Sequence, residues 1–293
     1  MTVMVIGASG LIGRALVPVL VRKDEVRASV RRPEAADPLR AAGAKVAVGR
    51  FDDAGALAEI LKRVFTVVHL VGGPNQSDDE AVLAANHGSV LTALAASREA
   101  GVRRFVLLSA TGASIDASNR YLRAKGLAEE AVANSGMEHA IVRSTHAYGL
   151  GGLWLAATVE GATASPPFVV GDGSQPVAPV FAGDVAAVLA AADDRDGRLE
   201  GTWALEGPDV LTMSELVTIL AAPAADPAVP LPPPAAAARL TDGLGTFVSQ
   251  TAAEVFALPS RADAPDAAHA FGVERTALAD GLRTMAQSTA AEG

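Results

Sequence analysis

The chain begins almost at once with Val3-Met4-Val5-Ile6-Gly7-Ala8-Ser9-Gly10-Leu11-Ile12-Gly13, and the reading of this stretch decides the fold. Val3 to Ile6 is a short continuous apolar run, the pattern of a strand buried on both faces. From Gly10 to Arg22, the residues Leu11, Ile12, Ala15, Leu16, Val19 and Leu20 recur at helical spacing. Gly7, Gly10 and Gly13 therefore stand where a strand hands over to a helix. Glycine there supplies backbone angles closed to other residues, lets the main chain approach a pyrophosphate, and lets the helix pack tightly on the strand. Ser9, Leu11 and Ile12 lie between the glycines, where free amides and the positive end of the helix dipole would face an anion. Tight packing alone is the alternative use of such glycines.

The alternation continues to residue 149. Strand-like runs at Val26 to Val30, Lys45 to Val48, Val64 to Val71, Arg104 to Leu108 and His139 to Arg143 are separated by four helical stretches. These are Glu34 to Ala42, Ala54 to Arg63, Asp79 to Ala100 and about Ser118 to Ser135. The pattern predicts an α/β fold: a Rossmann-type, doubly wound parallel sheet that binds ligands at the carboxyl ends of its strands. Residues 1–149 read as the dinucleotide-binding domain. Residues 150–293 read as a mixed segment that partly completes the sheet and forms a smaller C-terminal substrate lobe. Within it, Gly149 to Gly152 and Ser165 to Gly173 read as loops, Asp184 to Ala192 as a helix and Thr202 to Leu205 as a strand. Thr212 to Ala221 reads as a helix with a capping box of Thr212 and Glu215. Pro223 to Pro234 reads as a stiff connection, and Ala236 to Phe256 and Glu274 to Gln287 as closing helices.

A net charge of -9 argues against a nucleic-acid partner, because no broad basic field exists to displace counterions. The absence of cysteine removes disulfides, thiolate catalysis and thiolate metal sites, and the five histidines lack metal-ligand spacing, so no metal is expected. No leader-like segment precedes the first strand and no apolar run is long enough to span a bilayer, so the expectation is a soluble, cytoplasmic protein.

In sheets of this kind the end of the second strand faces the adenosine ribose, where a carboxylate would accept hydrogen bonds from both hydroxyls of NAD. Here the residues are Arg31 and Arg32, whose guanidinium groups suit a 2′-phosphate and favour NADP(H); two solvated arginines are the plain alternative. Asp52, after the third strand, is placed to accept from the adenine amino group or to cap the next helix.

Tyr121 and Lys125, four residues apart on one helix face, form the second informative cluster. A phenol is a slow acid at neutral pH, and a neighbouring ammonium stabilises its phenolate. Tyr121 would protonate a substrate carbonyl oxygen while hydride arrives at carbon, and Lys125 would tune it and hold the nicotinamide ribose. A buried tyrosine beside a solvated lysine is the structural alternative.

Together with Gly7-x-x-Gly10-x-x-Gly13 and Tyr121-x-x-x-Lys125, the strand ends Val67 to Gly72, Phe105 to Ala110 and Val142 to Gly149 resemble the short-chain dehydrogenase/reductase superfamily. The branch is the extended and atypical one, which includes NmrA-like proteins and the NADPH-binding accessory subunit of respiratory complex I. Pro179 to Ala186 is similar to that branch's later strand-to-helix segment. The resemblance places Leu70, Val71 and Gly72 on the cofactor and Ser144, Thr145 and His146 on the substrate side. It also implies a serine or threonine at the end of the fifth strand, where this chain has Ala110, flanked by Ser109 and Thr111. A loosened strand end would present Thr111. In that superfamily the helices after the fourth and fifth strands often pair. The small apolar face of Ala81 to Ala96 would serve either a homodimer or the sheet.

The leading expectation is an NADPH-dependent reductase of a small, largely apolar carbonyl, quinone or enone. Tyr121 and Lys125 would be catalytic, with Thr111 or Ser109 orienting the substrate. The alternatives are a catalytically silent NADP(H)-binding sensor or assembly protein, and a nucleotide-sugar epimerase or dehydratase.

Overall fold

The computed structural model describes residues 1–50, 52–193, 200–221 and 226–292. Its centre is a seven-stranded sheet. Strands β1 (Thr2–Ile6), β2 (Glu25–Val30), β3 (Lys45–Val48), β4 (Thr66–His69), β5 (Arg104–Ala110) and β6 (Glu138–Ser144) run parallel, and Gly201–Leu205 adds a parallel edge beside β6. β1 pairs with β2 on one side and β4 on the other, so the strand order reverses at β1 and opens a crevice at its carboxyl end. Gly7 leads out of that end.

Successive residues of β1 feed opposite cores. Val3 and Val5 pack with Leu16 and Val17 of helix α1 (Leu11–Leu20) and with Val185 and Leu189 of helix Ala182–Ala192. Met4 and Ile6 pack with Leu57 of α3 (Ala54–Leu61) and Val90 and Leu94 of α5 (Ser89–Ala100). Each such aliphatic side chain contributes about 1.5–3 kcal/mol, so a sheet sandwiched between two cores is held from both sides. The small apolar face of α5 is thus spent on the sheet, while Leu83 and Leu91 remain 46% exposed.

The rest of the first half differs little from expectation. A 3-10 turn at Pro33–Ala35 precedes α2 (Ala36–Ala41). The long helix predicted from Asp79 is α4 (Asp79–Leu83), a π-turn at Ala84–Gly88, and then α5. Helix α6 (Arg120–Ala133) carries Tyr121 and Lys125 and is capped by Asn119, which accepts from the amides of Tyr121 and Leu122.

The C-terminal lobe departs more. Leu153–Thr163 is a helix that no periodic signal announced. Of the predicted connection, residues 223–225 lie outside the described residues, Val229–Leu231 is a strand and Pro233–Leu244 already a helix. The expected helix from Ala236 to Phe256 is two: Gly245, with φ +60°, ends the first, and Ser249 caps the second, Gln250–Phe256. With Met213–Leu220, whose capping box forms between Thr212 and Glu215, these helices surround a separate core containing Trp154, Phe168, Leu216, Leu240 and Phe256.

Candidate active site

The three glycines of the first turn do different jobs. Gly7 has φ +89°, and a Cβ there would come within 3.0 Å of the Val71 amide, so the end of β1 lies against the Leu70-Val71 backbone. A Cβ on Gly13 would lie 2.4 Å from the Ala8 carbonyl oxygen, so α1 could not seat on the turn. Gly10 has an extended conformation open to any residue, and a Cβ would meet only the Gly7 carbonyl, at 3.4 Å. Nothing inside the protein demands glycine at Gly10. It is exposed at the start of α1, a helix with no side-chain cap and no acidic residue in its first turn, which is how a backbone cradle for phosphate is built. These residues fit a dinucleotide.

Farther along the same crevice lies a cleft of about 410 Å³. One side is Leu11 from the start of α1 and Gly72 and Gly73 after β4. The other is Tyr121 with Thr111. Leu153, Trp154, Val255 and Phe256 from the lobe close it with an apolar wall. Among the described residues, no Asp, Glu, Lys or Arg lines it.

The structure thus separates the two hydroxyls that flank Ala110. β5 ends at Ala110, and Thr111, the next residue, whose amide still donates to the Ser144 carbonyl at 3.1 Å, lines the cleft beside Ala110 and Tyr121. Ser109 is 3% exposed, is absent from the cleft lining, and its Oγ has no hydrogen-bond partner among the described residues. Of the two, Thr111 is therefore the one that reaches the cleft.

Lys125 is buried and donates from Nζ to the Leu108 carbonyl at 3.0 Å, at the end of β5. A Cβ on Gly72 would stand 3.3 Å from the same nitrogen, so amine and loop are close neighbours. Burial pushes the Lys125 amine down to about 8, with Glu129 opposing. Burial also pushes the Tyr121 phenol above its ordinary value. His69 is fully buried and stacks on Phe105 with ring centroids 6.0 Å apart. Burial first, then the Lys125 cation, pushes its imidazole down to about 3.

Ser144, Thr145 and His146 all reach the cleft lining, with different freedom. Thr145 spends its hydroxyl on the Ala178 carbonyl at 2.6 Å. His146 lies against Trp154, centroids 4.9 Å apart, with Phe256 edge-on, and burial holds it neutral by pushing it down to about 4. Arg143, just before them, is committed to structure. It grips Glu129 through two nitrogens and reaches Asp263, which also accepts from the Gly112 amide at 2.7 Å.

At the end of β2, the register Ile6 to Ser29 sets Val30 beside Gly7 and leaves Arg31 and Arg32 exposed just beyond. Arg32 has a loose pair with Glu34 at 3.6 Å, and Arg31 has no ion pair among the described residues. Asp52 is exposed and paired with Arg50 at 2.9 Å. The capping of α3 falls instead to Asp53, which accepts from the Ala56 amide.

Asn86 is the residue that sequence reasoning missed. It is fully buried in the π-turn, accepts from the Gly73 amide at 2.8 Å and donates to the Gly73 and Val82 carbonyls. It thereby pins the loop after β4, and π-turns of this kind often mark functional sites. The signal was the run Asn86-His87-Gly88-Ser89, poor helix formers in the middle of a helix. The lobe's wall residues had no comparable signal.

A glycine turn at the switch point, with a tyrosine-lined cleft beside it, is the arrangement of a dinucleotide-binding protein. Comparison with known proteins agrees: residues 7–151 match the family described as NAD(P)H-binding. A (4-alkanoyl-5-oxo-2,5-dihydrofuran-3-yl)methyl phosphate reductase from Streptomyces griseus is 31% identical over 73% of this chain and 70% of its own. The mitochondrial NADH dehydrogenase [ubiquinone] 1 alpha subcomplex subunit 9 of Arabidopsis thaliana is 32% identical over 74% of this chain, which spans 56% of that subunit's length. The solved structure of MoeE5 in complex with UDP-glucuronic acid and NAD superposes over the full length of both chains, with a TM-score of 0.74 and 23% identity. The chain belongs to the NAD(P)-binding, Rossmann-like family of extended short-chain dehydrogenase/reductase and NmrA-like proteins. No described helix is long and apolar enough to cross a membrane.

Proposed function

We propose that this protein is an NADPH-dependent reductase of a small, uncharged, largely apolar carbonyl, quinone or enone. The observation that carries the reading is a single cleft: Leu11 from the start of α1, Tyr121 and Thr111 line one space that, among the described residues, no Asp, Glu, Lys or Arg lines. The Gly7, Gly10 and Gly13 turn would hold the pyrophosphate, Arg31 and Arg32 the 2′-phosphate, and Lys125 the nicotinamide ribose. Bound there, NADPH supplies hydride.

The chain's own residues supply the rest. Tyr121, kept protonated by burial, donates its proton to the substrate oxygen. Lys125, cationic below about 8, stabilises the phenolate left behind. Thr111 orients the oxygen, and the wall of Trp154, Val255 and Phe256 excludes water.

Ala110, in the slot where the superfamily carries a hydroxyl, supports the second reading, a silent NADP(H)-binding protein. The epimerase reading has less support, because no lysine or arginine among the described residues lines the cleft to meet a diphosphate. Arg239, Arg261, Arg275 and Arg283 are spent on Pro166 with Phe168, Glu206, Asp266 and Asp280 respectively, and Arg195 and Arg198 lie outside the described residues.

NADPH oxidation measured with a panel of quinones, enones and ketones decides between them. Tyr121→Phe is expected to lower kcat by about 10²- to 10⁴-fold with NADPH affinity unchanged. Equal turnover in the variant would remove Tyr121 from the chemistry, and tight NADPH binding without oxidation over the panel would favour the silent protein.

A further inference from the structure

The helix that closes the cleft is fastened across it to the loop on the cofactor side. Asn75, three residues past Gly72, donates from Nδ2 to the Phe247 carbonyl at 2.9 Å and accepts at Oδ1 from the Ser249 amide at 2.7 Å. Ser249 Oγ donates to the Pro74 carbonyl at 3.1 Å and accepts from the Ala252 amide, capping helix Gln250–Phe256. That helix presents Val255 and Phe256 to the cleft, and Val255 packs on Tyr121 together with Val82 and Ala124. On its other side the loop is pinned by Asn86 to Gly73, and Gly72 stands against Lys125. A continuous chain of contacts thus runs from the dinucleotide side to the wall over the reacting phenol.

We propose that Asn75 is a positioning residue: it latches the apolar wall to the Gly72–Gly73 loop, so that a dinucleotide in the Gly7–Gly13 turn tightens helix Gln250–Phe256 and readies the substrate side. The inference rests on the dinucleotide-binding reading and goes beyond it by making the two ligands cooperative. A ligand that orders one end of a fastened element lowers the entropy cost of the second ligand. The side chain is suited to the task because one amide group bonds both a carbonyl and an N–H of the opposite lobe, which neither a carboxylate nor a hydroxyl does as well.

Hydrogen exchange of the full chain tests this, with NADP⁺ and NAD⁺ as separate probes. In the native protein, saturating dinucleotide is expected to slow exchange at the Gly7–Gly13 amides and, by about tenfold, across residues 250–256. In Asn75→Ala the first effect persists and the second falls below about twofold. Asn75→Asp, which keeps the bond from Ser249, lies between. Thr241→Val removes the acceptor of the Val248 amide inside the lobe, loosening the same segment without cutting the latch, so the dinucleotide effect should survive it. Equal slowing in Asn75→Ala, or none at 250–256 in the native protein while Gly7–Gly13 is protected, would overturn the latch. No protection at Gly7–Gly13 with either probe would overturn the binding reading and the latch with it.

Discussion

The two ends of the crevice are built from different materials. At the pyrophosphate end the working parts are backbone: Gly7, Gly10, Gly13 and uncapped amides, set by one strand and one helix. At the reacting end they are side chains from well-separated segments, among them Thr111, Tyr121, His146, Trp154 and Phe256, which meet only when the lobe folds over the sheet. The turn from Gly7 to Gly13 carries no titratable side chain, and Gly7 and Gly13 leave no room for added volume. The second is an apolar-walled cleft whose ionisable groups, Tyr121 and His146, are shifted by burial.

The largest expected effect breaks the first end. Gly13→Ala forces a methyl against the Ala8 backbone and should destabilise the fold by about 3 kcal/mol, read as a lower urea midpoint. Gly10→Ala fits its own backbone and should change stability by less than about 1 kcal/mol. Its dinucleotide Kd, measured by fluorescence titration, should nonetheless rise by about tenfold or more, because the methyl occupies the approach to the phosphates. Similar losses of stability in both variants would mean that all three glycines serve packing alone.

This contrast explains what the sequence made legible. Strands buried on both faces and a glycine turn are local patterns, so the sheet, its switch point and the cradle could be read from short windows. Tyr121 and Lys125 share one helix and were equally visible. The lobe was less so. Leu153–Thr163 is apolar on nearly every side, which erases helical periodicity. Pro233–Leu244 starts on prolines that a first helical turn tolerates but that read as a connection. The choice of Thr111 over Ser109 depended on where β5 stops, and strand ends are fixed by tertiary pairing. Asn75 and its partners are some 170 residues apart, beyond any local pattern.

A smaller effect probes the second end. His69 and His146 are held neutral in the fold, at about 3 and about 4, against an ordinary value of 6.5. Their folded values lie below the unfolded one, so between about 4 and about 6.5 the unfolded chain binds more protons. Stability is then fully present above pH 6.5 and lost as pH falls, by about 1 kcal/mol per pH unit for each histidine. Urea midpoints between pH 7.5 and 5 should show this slope before the carboxylates titrate. His69→Leu with His146→Leu should flatten it, whereas an unchanged slope in the double variant would place the acid sensitivity elsewhere.

The smallest effect concerns the one place where side chains would serve the backbone-built end. The proposed 2′-phosphate contacts come from Arg31 and Arg32, both exposed, so each is expected to contribute about tenfold to NADPH affinity at low salt and less as the Debye length shortens. Arg31→Ala and Arg32→Ala should raise the Kd of NADPH by that factor and leave the Kd of NADH within about twofold, since both nucleotides share the same glycine cradle. Arg31 should matter more, because Arg32 is already drawn toward Glu34. Repeating the titrations at about 0.5 M salt should narrow the ratio of the two affinities in the native protein and leave it unchanged in the double variant. Equal losses for both nucleotides would assign the arginines to the general field of the site, and the preference for NADPH would then need another source.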